Sequence, residues 1–147
     1  MPIAERFHPI RTQIAGVSVR ELAEQFGTPA YVYDAEKIIE RVTDLKQFDV
    51  IRFAQKACSS IAILDLVRRH GVVVDAVSTG EIHRAMTAGY RAGNQAPSPQ
   101  PSPKGRGGDH SEIVYTADIF DRESLETVVN LGIPVNCGSP DMIDQLG

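Results

Sequence analysis

The sequence predicts an α/β protein in which parallel strands alternate with helices. Short apolar runs rich in β-branched residues alternate with amphipathic segments along most of the 147 residues. The last four predicted strands begin about 20 residues apart once the segment 93–109 is set aside. Eight such units close a (β/α)8 barrel of the TIM type. The sequence supplies about four, so it predicts either an open sheet or about the first half of a barrel.

Composition excludes several classes of partner. The chain has 15 Lys and Arg against 19 Asp and Glu, a net charge of −4, and its longest basic run is the pair 68–69. We therefore expect no nucleic-acid partner and no membrane partner. Its two cysteines form no C-x-x-C pattern and its four histidines show no ligand spacing, which predicts no metal site. Without a signal-peptide pattern or a long apolar stretch, we expect a soluble, cytoplasmic protein.

The first predicted elements are two capped helices with a short strand between them. Ser18 and Glu21 have the spacing of a capping box, which predicts a helix ending near Gly27. The run 31–33, Tyr-Val-Tyr, is typical of a brief strand. Asp34 is the expected N-cap of the second helix. The apolar face of that helix consists of Ile38, Ile39, Val42 and Leu45.

The repeating strand and helix units begin at residue 50. Residues 50–54 predict a strand, Ser59 or Ser60 caps the next helix, and His70-Gly71 ends it. The further predicted elements are strand 72–77, helix 79–90, strand 113–116, helix 121–131, strand 133–136 and a helix starting at 139–141. Pro140 suits the first position of that last helix because it needs no backbone N–H donor there.

Residues 93–109 interrupt the repeat. This segment holds four of the nine prolines and four of the twelve glycines, with a proline at every second position from 97 to 103. Proline removes backbone donors and restricts the residue before it, so the segment cannot form a helix or a central strand. We expect a solvated insertion. A proline-rich ligand for another protein's groove is the alternative, but no apolar residue flanks the prolines to support it.

Lys56 is the strongest candidate for chemistry. It follows an apolar strand, and the carboxyl ends of strands are where active sites form in parallel β/α proteins. Burial there would lower the pKa of the amine and make it a nucleophile, whereas an exposed position would leave it a solvated cation. Asp75 ends the next strand. Ser78 and Glu81 follow it, but their spacing is also that of a capping box, which requires no role in chemistry.

Four blocks of the sequence resemble one enzyme family. The residues Phe26-Gly-Thr-Pro-Ala-Tyr-Val-Tyr33, Phe53-Ala-Gln-Lys-Ala-Cys-Ser59, Val74-Asp-Ala-Val-Ser-Thr-Gly-Glu81 and Val135-Asn-Cys-Gly-Ser-Pro-Asp-Met-Ile-Asp144 are similar to the N-terminal region of the fold-type III pyridoxal-phosphate decarboxylases. The diaminopimelate branch of that family is the most similar. Gln55 and Cys58 depart from the family's commoner aromatic-Ala-Val-Lys-Ala-Asn block, while the lysine is kept.

The resemblance implies a role for each candidate residue. Lys56 matches the lysine that holds pyridoxal 5′-phosphate covalently and later helps to return a proton to the decarboxylated carbon. Asp75 and Glu81 match acidic residues beside the cofactor and its lysine, and Ser78 lies in the same loop. The protonated pyridine ring of the cofactor would accept the electrons left by CO2, while the protein supplies orientation and charge.

The resemblance also implies the reaction and the domain organisation. The reaction is decarboxylation of meso-2,6-diaminopimelate to L-lysine and CO2, with an amino acid as the substrate and a homodimer as the full-length assembly. Residues 1–147 would be the N-terminal part of the barrel domain, without the β-sandwich domain that follows in the family, and we expect this part to be inactive alone. The alternatives are an ornithine or arginine decarboxylase, a non-catalytic pyridoxal-phosphate-binding protein, or a decayed decarboxylase.

Overall fold

The computed structural model describes residues 10–93, 111–117 and 120–146, and divides the chain into two compact units, Met1–Glu40 and Arg41–Gly147. The predicted insertion at 93–109 lies outside the described residues except for Gly93. Each unit is built from elements that are close together in sequence.

The first unit contains a hairpin that the sequence analysis did not predict. Strands β1 (Gln13–Ile14) and β2 (Val17–Ser18) pair antiparallel, with Ile14 opposite Val17. The two residues between them, Ala15 and Gly16, both have positive φ, 49° and 79°. Positive φ at both central positions is the requirement of the tight hairpin turn whose twist suits paired strands.

Two helices follow the hairpin with the predicted caps. Helix α1 (Val19–Phe26) begins after Ser18, whose hydroxyl accepts a hydrogen bond from Arg20 N, and ends at Gly27 with φ of 79°. Helix α2 (Ala35–Asp44) begins after Asp34, whose carboxylate accepts from Lys37 N at 3.1 Å. The strand predicted at 31–33 is wrong. Those residues are exposed and belong to neither of the two described sheets.

The second unit contains the predicted parallel sheet. Strands β3 (Arg52–Ala54), β4 (Val73–Ala76), β5 (Ile113–Ala117) and β6 (Val135–Cys137) lie side by side in chain order, and every neighbouring pair is parallel. Helices α3 (Ile61–Arg69), α4 (Thr79–Thr87) and α5 (Arg122–Leu131) connect them, and α6 (Pro140–Leu146) follows the last strand. Strands that neighbour in sequence and in space through helical crossovers are the arrangement of a β/α barrel.

One face of this sheet is covered by helices. The core cluster joins alternate strand residues to apolar residues of α3, α4 and α5. Its strand members are Val74, Ala76, Ile113 and Tyr115, with Phe53 and Val135 packed against them. Because side chains alternate along a strand, the intervening residues lie on the opposite face. Arg52, Ala54 and Asn136 are exposed there.

The described residues contain no helix long and apolar enough to cross a membrane. They also contain no cluster of three or more His, Cys, Asp or Glu side chains that could hold a metal ion.

Candidate functional site

Lys56 lies at the carboxyl edge of the sheet. It occupies the middle of a single 3₁₀ turn, Gln55–Ala57, which follows directly on β3. Its side chain is exposed, and no residue in the described ranges forms a hydrogen bond or an ion pair with its ammonium group. Of the two positions considered from the sequence, the structure shows the exposed one. The amine is accessible to a ligand that approaches this edge.

Asp75 lies on the neighbouring strand at the same edge. It is paired in register with Ala54 on β3 and with Val114 on β5. Its neighbours Val74 and Ala76 pack against the helices, so the side chain of Asp75 belongs to the opposite face. One carboxylate oxygen, Oδ1, is buried and has no hydrogen-bond partner among the described residues. A buried acceptor without a donor costs about 1–3 kcal/mol, and a bound group with a donor would remove that cost.

Ser78 and Glu81 cap the helix that follows β4. The Ser78 hydroxyl accepts a hydrogen bond from Glu81 N at 3.3 Å, and the Glu81 carboxylate accepts one from Val77 N at 2.8 Å. These bonds satisfy backbone donors at the start of α4 in the manner of a capping box, with the return bond one residue earlier than usual. Both side chains therefore have a structural role, and the capping alternative considered from the sequence is present.

Gln55 joins the lysine to this helix. Its side chain is fully buried, and its Nε2 donates to the backbone oxygen of Glu81 at 2.8 Å. In the sequence, Gln55 is a departure from the commoner block around the lysine and carries no predicted role. Its polar character immediately after an apolar strand was the signal that could have identified it, because a buried amide requires a specific partner.

The N-termini of α4 and α5 are also linked at this edge. Thr79 Oγ1 donates to Ser124 Oγ at 3.4 Å, and both side chains are buried. Asp121 accepts from Ser124 N at 2.7 Å and from Ser124 Oγ at 2.8 Å. The backbone amide of Ser124, followed by its hydroxyl, holds the pKa of Asp121 below its usual value. The N-termini of α4 and α5, with their partial positive charge, therefore lie at the same carboxyl edge of the sheet as Lys56 and Asp75.

A cavity of about 500 Å³ lies in the first unit and holds none of the four predicted site residues. Its walls are mainly apolar side chains from residues 14–33, including Val19, Phe26 and Tyr31. Without charged groups it offers no catalytic chemistry. We assign the candidate site to the strand edge and not to this cavity.

A parallel β/α array that carries an accessible lysine and a carboxylate at the ends of adjacent strands is the arrangement of a barrel-type α/β protein. Residues 35–147 match the pyridoxal binding domain of the pyridoxal-dependent decarboxylases. The chain belongs to this family.

Several relatives carry the same name. A diaminopimelate decarboxylase of Streptomyces coelicolor is 50% identical over 132 residues, which cover 90% of this chain and 27% of that protein. A crystal structure of diaminopimelate decarboxylase matches with a TM-score of 0.72 and 49% identity, covering 92% of this chain and 29% of that one. The diaminopimelate decarboxylase of Helicobacter pylori complexed with L-lysine matches with a TM-score of 0.66 and 26% identity, covering 86% and 29%. The chain spans less than a third of the length of these relatives.

These comparisons confirm the predicted family, the barrel type of fold and pyridoxal as the cofactor of the family. The individual roles of Lys56, Asp75, Ser78 and Glu81 remain predictions, and so does the division of residues 1–147 into barrel and insertion.

Proposed function

We propose that this chain supplies the lysine-bearing part of the active site of a pyridoxal-phosphate-dependent decarboxylase. The observation that carries the proposal is the accessible amine of Lys56 at the carboxyl edge of a parallel β/α sheet, one strand away from Asp75. The site suits the cofactor because Lys56 offers a primary amine and Asp75 offers a buried oxygen that lacks a donor. Such an amine can form a covalent bond to an aldehyde carbon.

The residues of this edge have distinct tasks in the proposed reaction. Lys56 would hold the cofactor covalently through its amine and, once that amine is free, would return a proton to the carbon that has lost CO2. Asp75 would accept a hydrogen bond from the bound cofactor through its buried Oδ1. Glu81 caps α4, and its carboxylate would also act beside the cofactor, as the family resemblance implies. The cofactor supplies an electron sink for the electrons left by the departing CO2.

For the whole protein we propose meso-2,6-diaminopimelate as the substrate and L-lysine and CO2 as the products. The 50% identity to a diaminopimelate decarboxylase supports this choice, and the relative from H. pylori binds L-lysine, which is the expected product. A homodimer in the cytoplasm is part of the same proposal. Four strands close only about half of a barrel, so we expect the 147-residue chain alone to release no CO2.

The cofactor role of Lys56 is tested by trapping. The purified chain is mixed with pyridoxal phosphate, reduced with borohydride and digested, and the modified lysines are identified by peptide mass spectrometry. We expect the pyridoxyl group at Lys56 in preference to the exposed Lys37 and Lys46. Lys56→Arg should abolish the preferred adduct because a guanidinium does not form it, whereas Lys46→Arg should leave it. Adducts spread evenly over the lysines would contradict the proposal.

The substrate is tested in a chimera in which residues 35–146 replace the matching segment of the S. coelicolor relative. We expect release of CO2 from meso-2,6-diaminopimelate in preference to ornithine or arginine, with no release after Lys56→Ala. A chimera that prefers ornithine or arginine would contradict the proposed substrate but not the cofactor.

A further inference from the structure

We infer that Gln55 is a positioning residue that fixes the lysine-bearing turn against helix α4 and thereby sets the direction in which Lys56 presents its amine. The inference rests on the proposed function, since it concerns the lysine that would hold the cofactor. It assigns a task to a residue that touches neither substrate nor cofactor and acts through its neighbour.

The side chain of Gln55 spans from the sheet edge to the helix. Gln55 directly precedes Lys56, and its amide nitrogen donates to the backbone oxygen of Glu81, 26 positions later in the chain, at 2.8 Å. The bond is partly shielded from water, because Gln55 is fully buried while Glu81 is partly exposed. Shielding from water strengthens a hydrogen bond and limits the alternatives open to the donor. This short contact therefore helps to fix the position of the turn relative to α4.

The main chain of the same residue closes the turn around the lysine. The carbonyl oxygen of Gln55 accepts from Cys58 N at 3.0 Å and from Ser59 Oγ at 3.2 Å. Lys56 lies inside the loop that these two bonds close. A shift of Gln55 would consequently move the backbone from which the lysine side chain extends.

A second contact holds the far end of this segment to the same helix. Arg84 Nη1 donates to the backbone oxygen of Ser59 at 3.3 Å. Glu81 and Arg84 are three residues apart on α4, which places them on one face of the helix. Lys56 thus lies between two attachments to α4, one through Gln55 and one through Ser59. Of the two, the attachment through Gln55 is the buried one.

The amide at this position carries a cost as well as a bond. The other polar atom of the side chain, Oε1, is buried and has no partner among the described residues. An apolar side chain of similar size would avoid the cost of that unsatisfied acceptor but would lose the Nε2 bond to Glu81 O. The retained feature is the Nε2 bond to α4, and its consequence is the fixed position of the turn.

The test compares two variants of the 147-residue chain that each lose one buried side-chain donor to a helix carbonyl. Gln55→Met keeps the volume and removes the bond to Glu81. Tyr90→Phe is the matched control, because Tyr90 is buried and its hydroxyl donates to Leu64 O at 3.3 Å. For both we measure the free energy of unfolding and the rate at which borohydride-trapped pyridoxyl accumulates on Lys56 relative to Lys37.

We expect Gln55→Met to remain folded and to lower the relative rate at Lys56 by about tenfold, the scale on which a misplaced group loses reactivity. Tyr90→Phe should lower the free energy of unfolding and leave the relative rate unchanged. A Gln55→Met chain that still prefers Lys56 as the wild type does would overturn the inference and leave the proposed function standing.

A wild-type chain without preference for Lys56 would overturn both. If Gln55→Met does not fold, Gln55→Leu decides, since leucine also removes the Nε2 donor to Glu81 O and fills the site with an apolar side chain. An unchanged relative rate in a folded Gln55→Leu chain would then overturn the inference.

Discussion

Gln55 Oε1 and Asp75 Oδ1 are buried oxygens that have no hydrogen-bond partner in the described part of the chain, and both lie at this sheet edge. Neither atom is needed to form the strands, because Val74 and Ala76 already fill the core on the helix side. Each unsatisfied acceptor costs about 1–3 kcal/mol. Functional sites commonly retain such costs, and both residues lie next to the lysine or on the strand beside it.

Asp65 on helix α3 has partners for its carboxylate and stabilises the fold. Its carboxylate contacts Arg69 at 2.6 Å and Arg68 at 3.1 Å. The hydrogen bond from Arg69 is the main cause, and that from Arg68 a further one, of a pKa for Asp65 below its usual 3.8. Arg68 also donates from Nε to Ala88 O at 2.9 Å, so Asp65 supports a side chain that joins α3 to the end of α4.

Asp65→Asn should destabilise the second unit in a pH-dependent manner. A carboxyl whose folded pKa is lowered contributes its full stability above the unfolded value of 3.8 and loses it as the pH falls through the folded value. We expect a loss of about 1 kcal/mol at neutral pH, limited by solvent screening of the exposed Arg69, and a smaller loss below pH 3.8. Urea unfolding of both chains at several pH values measures this difference.

The control for that prediction is Asp44→Asn, which breaks the exposed pair between Asp44 and Arg41 on α2. We expect it to cost less than about 0.5 kcal/mol, because both groups remain solvated. A loss for Asp65→Asn that is the same at every pH would show that the ionised form of Asp65 is not what stabilises the helix.

Among the elements, the beginning of α4 has two possible roles that the sequence could not separate. Ser78 and Glu81 form the expected cap, and the Glu81 carboxylate is engaged with Val77 N. The same carboxylate is proposed to act beside the cofactor. The two roles make different demands, because a cap needs only an acceptor oxygen whereas a charge near the lysine needs an ionised group.

Glu81→Gln and Glu81→Leu should separate these roles. Glutamine keeps an acceptor for Val77 N, so we expect a change in unfolding free energy within about 0.5 kcal/mol. Leucine leaves that N–H without a partner and should cost about 1–2 kcal/mol. If the charge also acts on the cofactor site, both variants will lower trapping at Lys56. A Glu81→Gln chain with wild-type stability and wild-type trapping would limit Glu81 to its capping role.

The repeating elements could be predicted from the sequence because their signals are local. The caps at Ser18 and Asp34 are short-range hydrogen bonds, and both are confirmed. Asp121, predicted as the first residue of its helix, is instead the N-cap of a helix that begins at Arg122. The hairpin at 13–18 was missed because its strands have two residues each and only Gly16 signals the turn. The bond from Gln55 to Glu81 joins residues 26 positions apart. Hydrophobic periodicity in a sequence does not predict a contact between residues that far apart.

The connection from α4 to β5 is closed at its base by two residues. Arg91 and Glu112 exchange backbone and side-chain bonds, with Glu112 N donating to Arg91 O at 2.9 Å and Arg91 N donating to Glu112 Oε2 at 3.0 Å. Their side chains also form a half-buried ion pair at 3.3 Å. These bonds fix the start of β5 beside β4 and involve only Arg91 and Glu112. The sheet can therefore carry a long segment at this point without a change of register.

At the scale of the whole second unit, the described helices of the core cluster pack against one face of the sheet. Parallel sheets are normally covered on both faces, since their strands otherwise expose backbone and apolar groups. On the second face Val73 and Val114 are buried at the centre, whereas Arg52, Ala54 and Asn136 are exposed on β3 and β6, the edge strands of the described sheet. The sequence allowed this to be anticipated, because about four units were recognised where a barrel needs eight.

The open face and the two edges should make the purified chain associate with itself. Unpaired strand edges favour pairing with another chain, and a charged side chain on an edge strand opposes it. Ala54 lies on edge strand β3, on the open face and in register with Asp75, so Ala54→Lys adds a charge where association would bury it while Asp75 offers a compensating partner. Ala62→Lys, on the exposed side of α3, adds the same charge away from the sheet.

Sedimentation velocity over a range of protein concentrations should show wild type and Ala62→Lys forming larger species and Ala54→Lys shifted toward the monomer. Equal association of all three chains would place the contact elsewhere, and a wild-type chain that stays monomeric at every concentration would show that a half-covered parallel sheet is tolerated in this protein.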